Sequence, residues 1–235
     1  MGKHGKRYEA AVATLDRNGL SSPQEAIARV KQMASAKFDE TVDVAIRLGV
    51  DSKSGEQTVR GIVTLPHGSG KAPRVVVFAR GEAASAAEQA GADTVGGEEL
   101  VAKIEGGWKD FDVVVAARDM MRVVGRLGKR LGPRMPNPKA GTVGDDLGKI
   151  VRELKSGRVQ FRVDRAGNIH APIGKASFSA EQLVENFGTL MLSILRARPA
   201  SAKGQFVRKI NISSTMGPSV GIDPAQAQAL AETLT

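Results

Sequence analysis

Hydrophobic residues in the first part of the chain change from a helical spacing to a strand-like one. The run Ser22-Pro23-Gln24-Glu25 is typical of a capped helix start, and the apolar residues after it predict a helix that reaches about residue 36. Apolar and polar residues then alternate over 40–49, which predicts a half-buried strand, and 59–65 predicts a strand beside it. A shorter helix is predicted over 7–17, ending at Asn18-Gly19.

Residues 69–158 carry a different pattern. Val75–Ala79 and Phe111–Ala116 are nearly continuous apolar runs, which are typical of strands covered on both faces. Between them the pattern predicts a helix over 82–90, a short strand near 94–95 and a helix over 98–105, and this order implies parallel crossover connections. A further helix is predicted near residues 145–154.

The half-exposed pattern returns after residue 158. Alternation over 159–164 and an extended piece over 169–173 predict two strands, and a long helix is predicted from the N-cap Ser179 to about Arg196. Residues 205–213 predict another strand. The tail, 224–235, is rich in Ala and Gln and is predicted to be disordered, with a weak helix as the alternative.

These changes of pattern predict two domains of different class. The first is a discontinuous α+β domain, residues 1–68 and 159–235, with an antiparallel or mixed sheet and helices. It is interrupted by a small three-layer α/β, Rossmann-like domain over residues 69–158.

The charge balance predicts an anionic partner. Lys and Arg total 34 against 25 Asp and Glu, which leaves a net charge of +9 and a pI near 10.0. Nucleic acid is the commonest partner for such a surface, and simple solubility is the alternative. The excess is spread along the chain, at about +2, +4 and +3 for residues 1–68, 69–158 and 159–235.

Other composition features exclude several classes of protein. The chain has no cysteine, which argues against disulfide scaffolds and cysteine-based zinc sites and favours a reducing, cytoplasmic compartment. No apolar stretch is long enough for a membrane span or a signal peptide, so no membrane association is expected. The three histidines are widely separated, and neither a metal nor a cofactor is predicted.

The one string that resembles catalytic chemistry is Gly217-Pro218-Ser219-Val220-Gly221, which matches G-x-S-x-G. A nucleophile elbow needs a helix directly after the serine, followed by an acid and then a histidine. The next helical segment begins only at Pro224, and no histidine follows His170. The sequence therefore predicts that the protein is not an enzyme, and a hydrolase built on Ser219 is the weakest hypothesis.

The densest positive charge lies in the middle of the chain. If the segment is one helix, four arginines share a face, and two further cations follow in a loop with three prolines: Arg118, Arg122, Arg126, Arg130, Arg134 and Lys139. Such a face is either solvated or bound to phosphates, and these residues alone do not decide between the two.

Two segments of the split domain have the composition of an RNA site. Residues 36–41 set Phe38 beside Lys37 at the end of a predicted helix, where the ring either stacks on a base or packs into the core. Residues 213–219 form a run of small hydroxylated residues and glycine, which is either a plain loop or a surface that approaches RNA closely.

Five segments in register resemble the L1 family of bacterial large-subunit ribosomal proteins over almost the whole chain. They are Lys37-Phe38-Asp39-Glu40-Thr41, residues 91–99, residues 135–143, His170-Ala171-Pro172-Ile173-Gly174-Lys175 and Ser214-Thr215-Met216-Gly217-Pro218-Ser219. One departure is that the family usually carries Gly-Leu between the positions of Arg134 and Met135, which are adjacent here.

The resemblance implies an RNA-binding role without catalysis. A member of this family is expected to act as a monomer in the ribosome, to bind the rRNA of the mobile stalk near the tRNA exit site, and to assist release of deacylated tRNA. It is also expected to repress translation of its own operon mRNA. The alternative is a DNA- or mRNA-binding regulator that acts away from the ribosome.

The resemblance also implies which residues contact RNA. The family signature falls, within the split domain, on Lys37, Phe38, Glu40, Thr41, His170, Lys175, Ser177, Ser213, Thr215, Met216 and Gly217. The arginine row of the inserted domain is then expected to be a secondary or tRNA-facing contact.

Overall fold

The computed structural model describes residues 5–16, 19–50, 59–71 and 73–233, apart from the side chain of Lys139. The chain divides into two compact units. The split unit contains Met1–Gly70 and Val159–Thr235, and the inserted unit contains Lys71–Arg158.

The described residues form both helices and strands. The helices are α1 (Lys6–Ala13), α2 (Pro23–Met33), α3 (Glu82–Gln89), α4 (Glu98–Glu105), α5 (Met121–Val124), α6 (Gly128–Leu131), α7 (Leu147–Lys155), α8 (Ala180–Arg196) and α9 (Pro224–Thr233). The strands are β1 (Leu20–Ser21), β2 (Thr41–Leu48), β3 (Arg60–Thr64), β4 (Val75–Phe78), β5 (Thr94–Gly96), β6 (Val113–Ala117), β7 (Val143–Gly144), β8 (Arg158–Arg162), β9 (Asn168–Lys175), β10 (Val207–Ser214) and β11 (Val220–Ile222). Helix α1 is shorter than predicted, and its predicted stop at Asn18 lies outside the described residues.

The split unit is built on a mixed five-stranded sheet with the order β1-β11-β10-β2-β9. Strand β2 is antiparallel to both β9 and β10, whereas β1 and β11 are parallel. The alternation in β2 buries Val42, Val44, Ile46 and Leu48 on one face, where α2, α8 and α9 contribute to the same core. This arrangement confirms the predicted α+β class.

The predicted pairing of residues 59–65 with β2 is wrong. Strand β3 pairs with β8 in a separate two-stranded sheet, because β9 and β10 already occupy both edges of β2. The β3–β8 sheet packs closely: a Cβ added at Gly61 would lie 2.6 Å from the Phe161 ring.

The predicted disorder of the C-terminal tail is also wrong for the residues described there. Helix α9 begins after Asp223, whose side chain accepts a hydrogen bond from the N–H of Ala225 at 2.9 Å. Ala227 and Ala231, one turn apart, are completely buried, and α9 contacts α8. Packing of these small methyl groups orders a segment whose own helical signal is weak.

Helix α8 begins at the predicted N-cap Ser179, where the structure shows a capping box. The Ser179 hydroxyl accepts from the N–H of Gln182 at 3.1 Å, and the Gln182 side chain accepts from the N–H of Ser179 at 3.0 Å. The helix buries Leu183, Phe187 and Ile194 completely, so its start positions a large part of the core.

We expect Ser179→Ala to lower the free energy of unfolding by about 1 kcal/mol, because it removes the hydroxyl that caps the first turn. Urea unfolding followed by far-UV circular dichroism measures this change. Ser219→Ala is the matched control, since Ser219 is exposed and lies outside any helix start. Equal stability of the two variants would contradict the prediction.

The inserted unit contains a four-stranded parallel sheet with the order β5-β4-β6-β7. Strand β4 is buried on both faces, as its continuous apolar run predicted. Helix α3 contacts α7 and α4 contacts α5, as expected of helices that connect parallel strands and cover the two faces of the sheet. The α/β class predicted for this region is confirmed.

The condition for a shared arginine face, one regular helix over this segment, is not met. The segment is broken into α5, a 3-10 turn at Gly125–Leu127, α6 and a second 3-10 turn at Gly132–Arg134. Glycines lie at each of these junctions, and Gly132 has a φ of 54°, a left-handed conformation that ends α6. The four-residue spacing of the arginines therefore does not place them on one regular α-helix.

Candidate nucleic-acid interface

The start of β2 lies between the ends of β9 and β10. Thr41 is paired with Lys175 on β9, and Val42 is paired with Ser214 on β10. Because both neighbours are antiparallel to β2, the chain segments next to these strand ends meet at one end of the sheet. We call residues 37–41, 175–177 and 215–217 the strand-end site.

Glu40 links two of the three segments from beneath the surface. Its side chain is almost completely buried, and its two oxygens accept hydrogen bonds from the N–H of Ala36 and the N–H of Met216, both at 2.9 Å. Burial raises the pKa of Glu40, but hydrogen bonds from the Met216 and Ala36 N–H groups, the Ser214 hydroxyl and the Ser35 N–H together outweigh burial and hold it below its ordinary value. The ionised carboxylate therefore fixes the position of Met216 relative to residues 36–40.

Thr41 and Thr215 join the same two segments at the surface. The Thr215 hydroxyl lies 3.0 Å from the N–H of Thr41, from which it accepts, and 3.2 Å from the carbonyl oxygen of Thr41, to which it donates. One side chain thus extends the ladder between β2 and β10 by both a donor and an acceptor. The predicted site residue Thr215 therefore holds residues 215–217 to the start of β2.

Lys175 connects the third segment. Its ammonium group donates to the Thr41 hydroxyl at 2.9 Å and to the carbonyl oxygen of Asp39 at 3.3 Å. Gly70 lies against the stem of this side chain, since an added Cβ there would be 2.4 Å from Lys175 Cγ. Lys175 is therefore held in place while it contributes positive charge to the site.

Asp39 is a site residue that sequence reasoning missed. Its carboxylate accepts from the N–H of Ser177 at 3.1 Å and from the Ser177 hydroxyl at 2.9 Å. These bonds attach residues 176–178 to the segment before β2. Asp39 stands inside the Lys37–Thr41 motif, but nothing in the sequence signals that its partner is 138 residues away.

Phe38 and Met216 are exposed at the surface of this hydrogen-bonded frame. Their exposed fractions are 55% and 53%, and Leu20 is the other large apolar side chain with this degree of exposure in the described chain. Lys37 is exposed beside Phe38. Of the two interpretations of Phe38, packing into the core is therefore wrong.

Gly217 is required by close packing. A Cβ at this position would lie 2.5 Å from the Ser214 hydroxyl oxygen, so a side chain would displace the turn that carries Met216. The N–H of Gly217 donates to the carbonyl oxygen of Ser214 at 3.2 Å, which closes this turn.

Two predicted residues lie further along the strands. Ser213, on β10, is paired with Asp43 and lies two residues before Thr215. His170 is paired with Ala45, about 16 Å along β9 from Lys175 at 3.3 Å per residue, and its ring lies 3.9 Å from Asp164. Ser213 adjoins the strand-end site, whereas His170 does not.

The arginine row of the inserted unit is distributed over several short elements. Arg118 pairs with Asp145 at 3.4 Å, and Arg134 donates to the carbonyl oxygen of Phe111 at 2.8 Å. Arg122, Arg126 and Arg130 are exposed on different short helical turns. The side chain of Lys139, the last member predicted for this set, lies outside the described residues.

Alternative chemistry finds little support in the described chain. Ser219 is followed by strand β11 instead of a helix, so a nucleophile elbow is not formed. A search of the described residues finds no group of three or more acidic, histidine or cysteine side chains that could hold a metal ion. Among the helices described, none has the length and apolar character needed to span a membrane.

Comparison with known proteins identifies the family. A family model described as the ribosomal protein L1p/L10e family matches residues 30–218. The large ribosomal subunit protein uL1 of Cutibacterium acnes (strain DSM 16379 / KPA171202) is 57% identical over 228 residues, which cover 96% of this chain and 98% of that protein. The family match includes all three segments of the strand-end site, and the match to uL1 covers nearly the whole chain. The chain therefore belongs to the ribosomal protein L1p/L10e family, as its sequence motifs predicted.

Proposed function

We propose that the strand-end site binds large-subunit rRNA, in the segment that forms the mobile stalk near the tRNA exit site. The observation that carries this proposal is the pair of exposed apolar side chains, Phe38 and Met216, on a frame fixed by the buried Glu40. A rigid frame presents apolar and polar groups to a partner at a low cost in ordering. Family membership supports RNA as that partner.

The chemistry of the site favours recognition of RNA shape. Hydroxyls of Thr41, Thr215 and Ser177 and backbone groups dominate it, and these groups suit 2′-hydroxyl and phosphate oxygens. Phe38 provides one ring for a base or ribose, and the exposed Lys37 provides a charge for a phosphate. Ser213 and Gly217 extend this surface, whereas His170 would contact RNA only if the bound segment continues along β9.

Further roles follow from the same RNA site. We propose that the protein assists release of deacylated tRNA from the stalk and that it represses its own operon mRNA through a similar RNA fold. The protein acts here as a monomer within the ribosome and without catalysis. Arg118, Arg122, Arg126, Arg130, Arg134 and Lys139 are proposed as secondary contacts to RNA or tRNA.

We expect stalk rRNA to bind with a salt dependence set by the phosphates that are neutralised. If several phosphates contribute at about 0.7 to 0.9 each to the slope of log affinity against log salt, affinity falls at least about tenfold between 50 and 200 mM salt. Filter binding of a labelled stalk rRNA fragment measures this slope.

Competition in the same assay separates the proposal from an off-ribosome regulator. Duplex DNA and unrelated RNA hairpins of equal length should compete at least about tenfold less well than the stalk fragment. Equal competition by DNA, or an affinity that does not change with salt, would reject the stalk rRNA assignment.

A further inference from the structure

A second feature suited to RNA lies in the inserted unit, around Arg134. Its guanidinium donates to the carbonyl oxygens of Phe111 at 2.8 Å and Lys109 at 3.4 Å, and it lies over the Phe111 ring at 5.6 Å. These contacts fix the guanidinium in place although the residue is exposed. A guanidinium plane held in this way is a platform on which a nucleobase can stack.

A pocket of about 210 Å³ opens beside this platform, and we call it the Phe111 pocket. Leu131 and Pro133 contribute apolar walls, and Lys109 and Arg130 contribute positive charge. Within the described residues neither of these two cations has an ion pair or a hydrogen bond through its charged group.

The acidic residues of the adjoining loop do not neutralise this pocket. Asp110 and Asp112 both form ion pairs with Arg74, which does not line the pocket. Asp112 also attracts the Arg134 guanidinium, so within the described chain the pocket-lining cations without an acidic partner are Lys109 and Arg130. Charge complementarity points to an anionic ligand with a flat apolar part, and a nucleotide has both properties.

We propose that the Phe111 pocket is a second RNA site, which takes one nucleotide of single-stranded RNA. The base lies against the Arg134 guanidinium and the apolar wall, and the phosphate meets Lys109 and Arg130. This inference rests on the proposal that the partner of the protein is RNA. It divides the predicted arginine row, since Arg130 and Arg134 belong to this pocket and Arg118 pairs with Asp145.

The protein contains its own reporter for this site. Trp108 is the single tryptophan of the chain, and its ring centroid lies 5.4 Å from that of Phe111. Titration of the full-length protein with an oligoriboadenylate hexamer should therefore quench tryptophan fluorescence in a saturable way. We expect Arg130→Glu to raise the half-saturation concentration at least about tenfold, because it reverses the charge at the phosphate.

Three further variants make the result specific. Lys129→Glu makes the same charge change at the next residue, which does not line the pocket, and should shift half-saturation less than about threefold. Arg134→Lys keeps the charge but removes the planar platform, so it should weaken quenching. Met216→Asp, in the split unit, should leave quenching unchanged. Far-UV circular dichroism of each variant confirms that it is folded.

Several outcomes would overturn the proposal. The first is a lack of quenching by the hexamer, and the second is an equal effect of Arg130→Glu and Lys129→Glu. The third is that a hexaglutamate peptide or inorganic polyphosphate displaces the bound hexamer as effectively as more hexamer does. Loss of quenching in Met216→Asp would assign the signal to the strand-end site. It would reject the proposed second site and leave the strand-end proposal standing. Conversely, if the wild-type protein showed quenching by the hexamer but did not bind stalk rRNA, the strand-end proposal alone would be rejected.

Discussion

Met216→Asp should weaken binding of a stalk rRNA fragment by about a hundredfold or more while leaving the protein folded. Met216 is half exposed, so the substitution removes apolar contact area that the free protein does not use for its own stability. Loss of a stacked or apolar contact accounts for about 1–3 kcal/mol, and a carboxylate facing phosphates adds repulsion. A filter-binding titration at fixed salt, with urea unfolding of the same preparation, measures both effects.

Leu20→Asp is the matched control for this variant. Leu20 is exposed to 60%, slightly more than Met216, and lies on β1 at the opposite edge of the sheet from β9. It should lose less than about threefold in RNA affinity. If both variants lost affinity equally, the effect would come from net charge, and Met216 would not belong to the RNA site.

The fold class could be predicted because the hydrophobic pattern reports which faces of a strand are covered. Buried and more exposed positions alternate in β2, which indicates a sheet covered on one face. The continuous buried run in β4 indicates a sheet with helices on both faces. The same pattern does not report which strand is the neighbour, so β3 was paired wrongly with β2. Likewise the alanines of α9 are too small to mark a buried helix, and their packing against the core is visible only in three dimensions.

The candidate site could be predicted in its members but not in its connections. The motifs at 37–41 and 214–219 predict RNA-facing residues through family resemblance, and the structure brings both segments to one end of the sheet. The bond from Met216 to Glu40 spans 176 residues, and no local pattern announces it. Charge density did not indicate the local structure of the arginine row, because glycines at 125, 128 and 132 divide that segment into short helical turns.

Glu40→Ala should lower the free energy of unfolding by about 2 kcal/mol and weaken stalk rRNA binding at least about tenfold. The substitution leaves the N–H groups of Ala36 and Met216 without their acceptor, at about 1–3 kcal/mol for each such group when buried. Both groups are partly buried, which places the total at the lower end of the summed range. The affinity for RNA falls because Met216 is then no longer held to residues 36–40.

Dependence on pH gives this prediction a second readout. Since the folded protein holds the pKa of Glu40 below its ordinary value of 4.5, the carboxylate contributes stability above pH 4.5 and loses it as the pH falls through the folded-state pKa. Wild-type protein should therefore lose more stability on acidification through this range than Glu40→Gln, which has no ionisable group there. Glu232→Ala, at an exposed position on α9, should follow the wild type. If Glu40→Gln matched the wild type at every pH, the ionised carboxylate would not be what holds Met216 to residues 36–40.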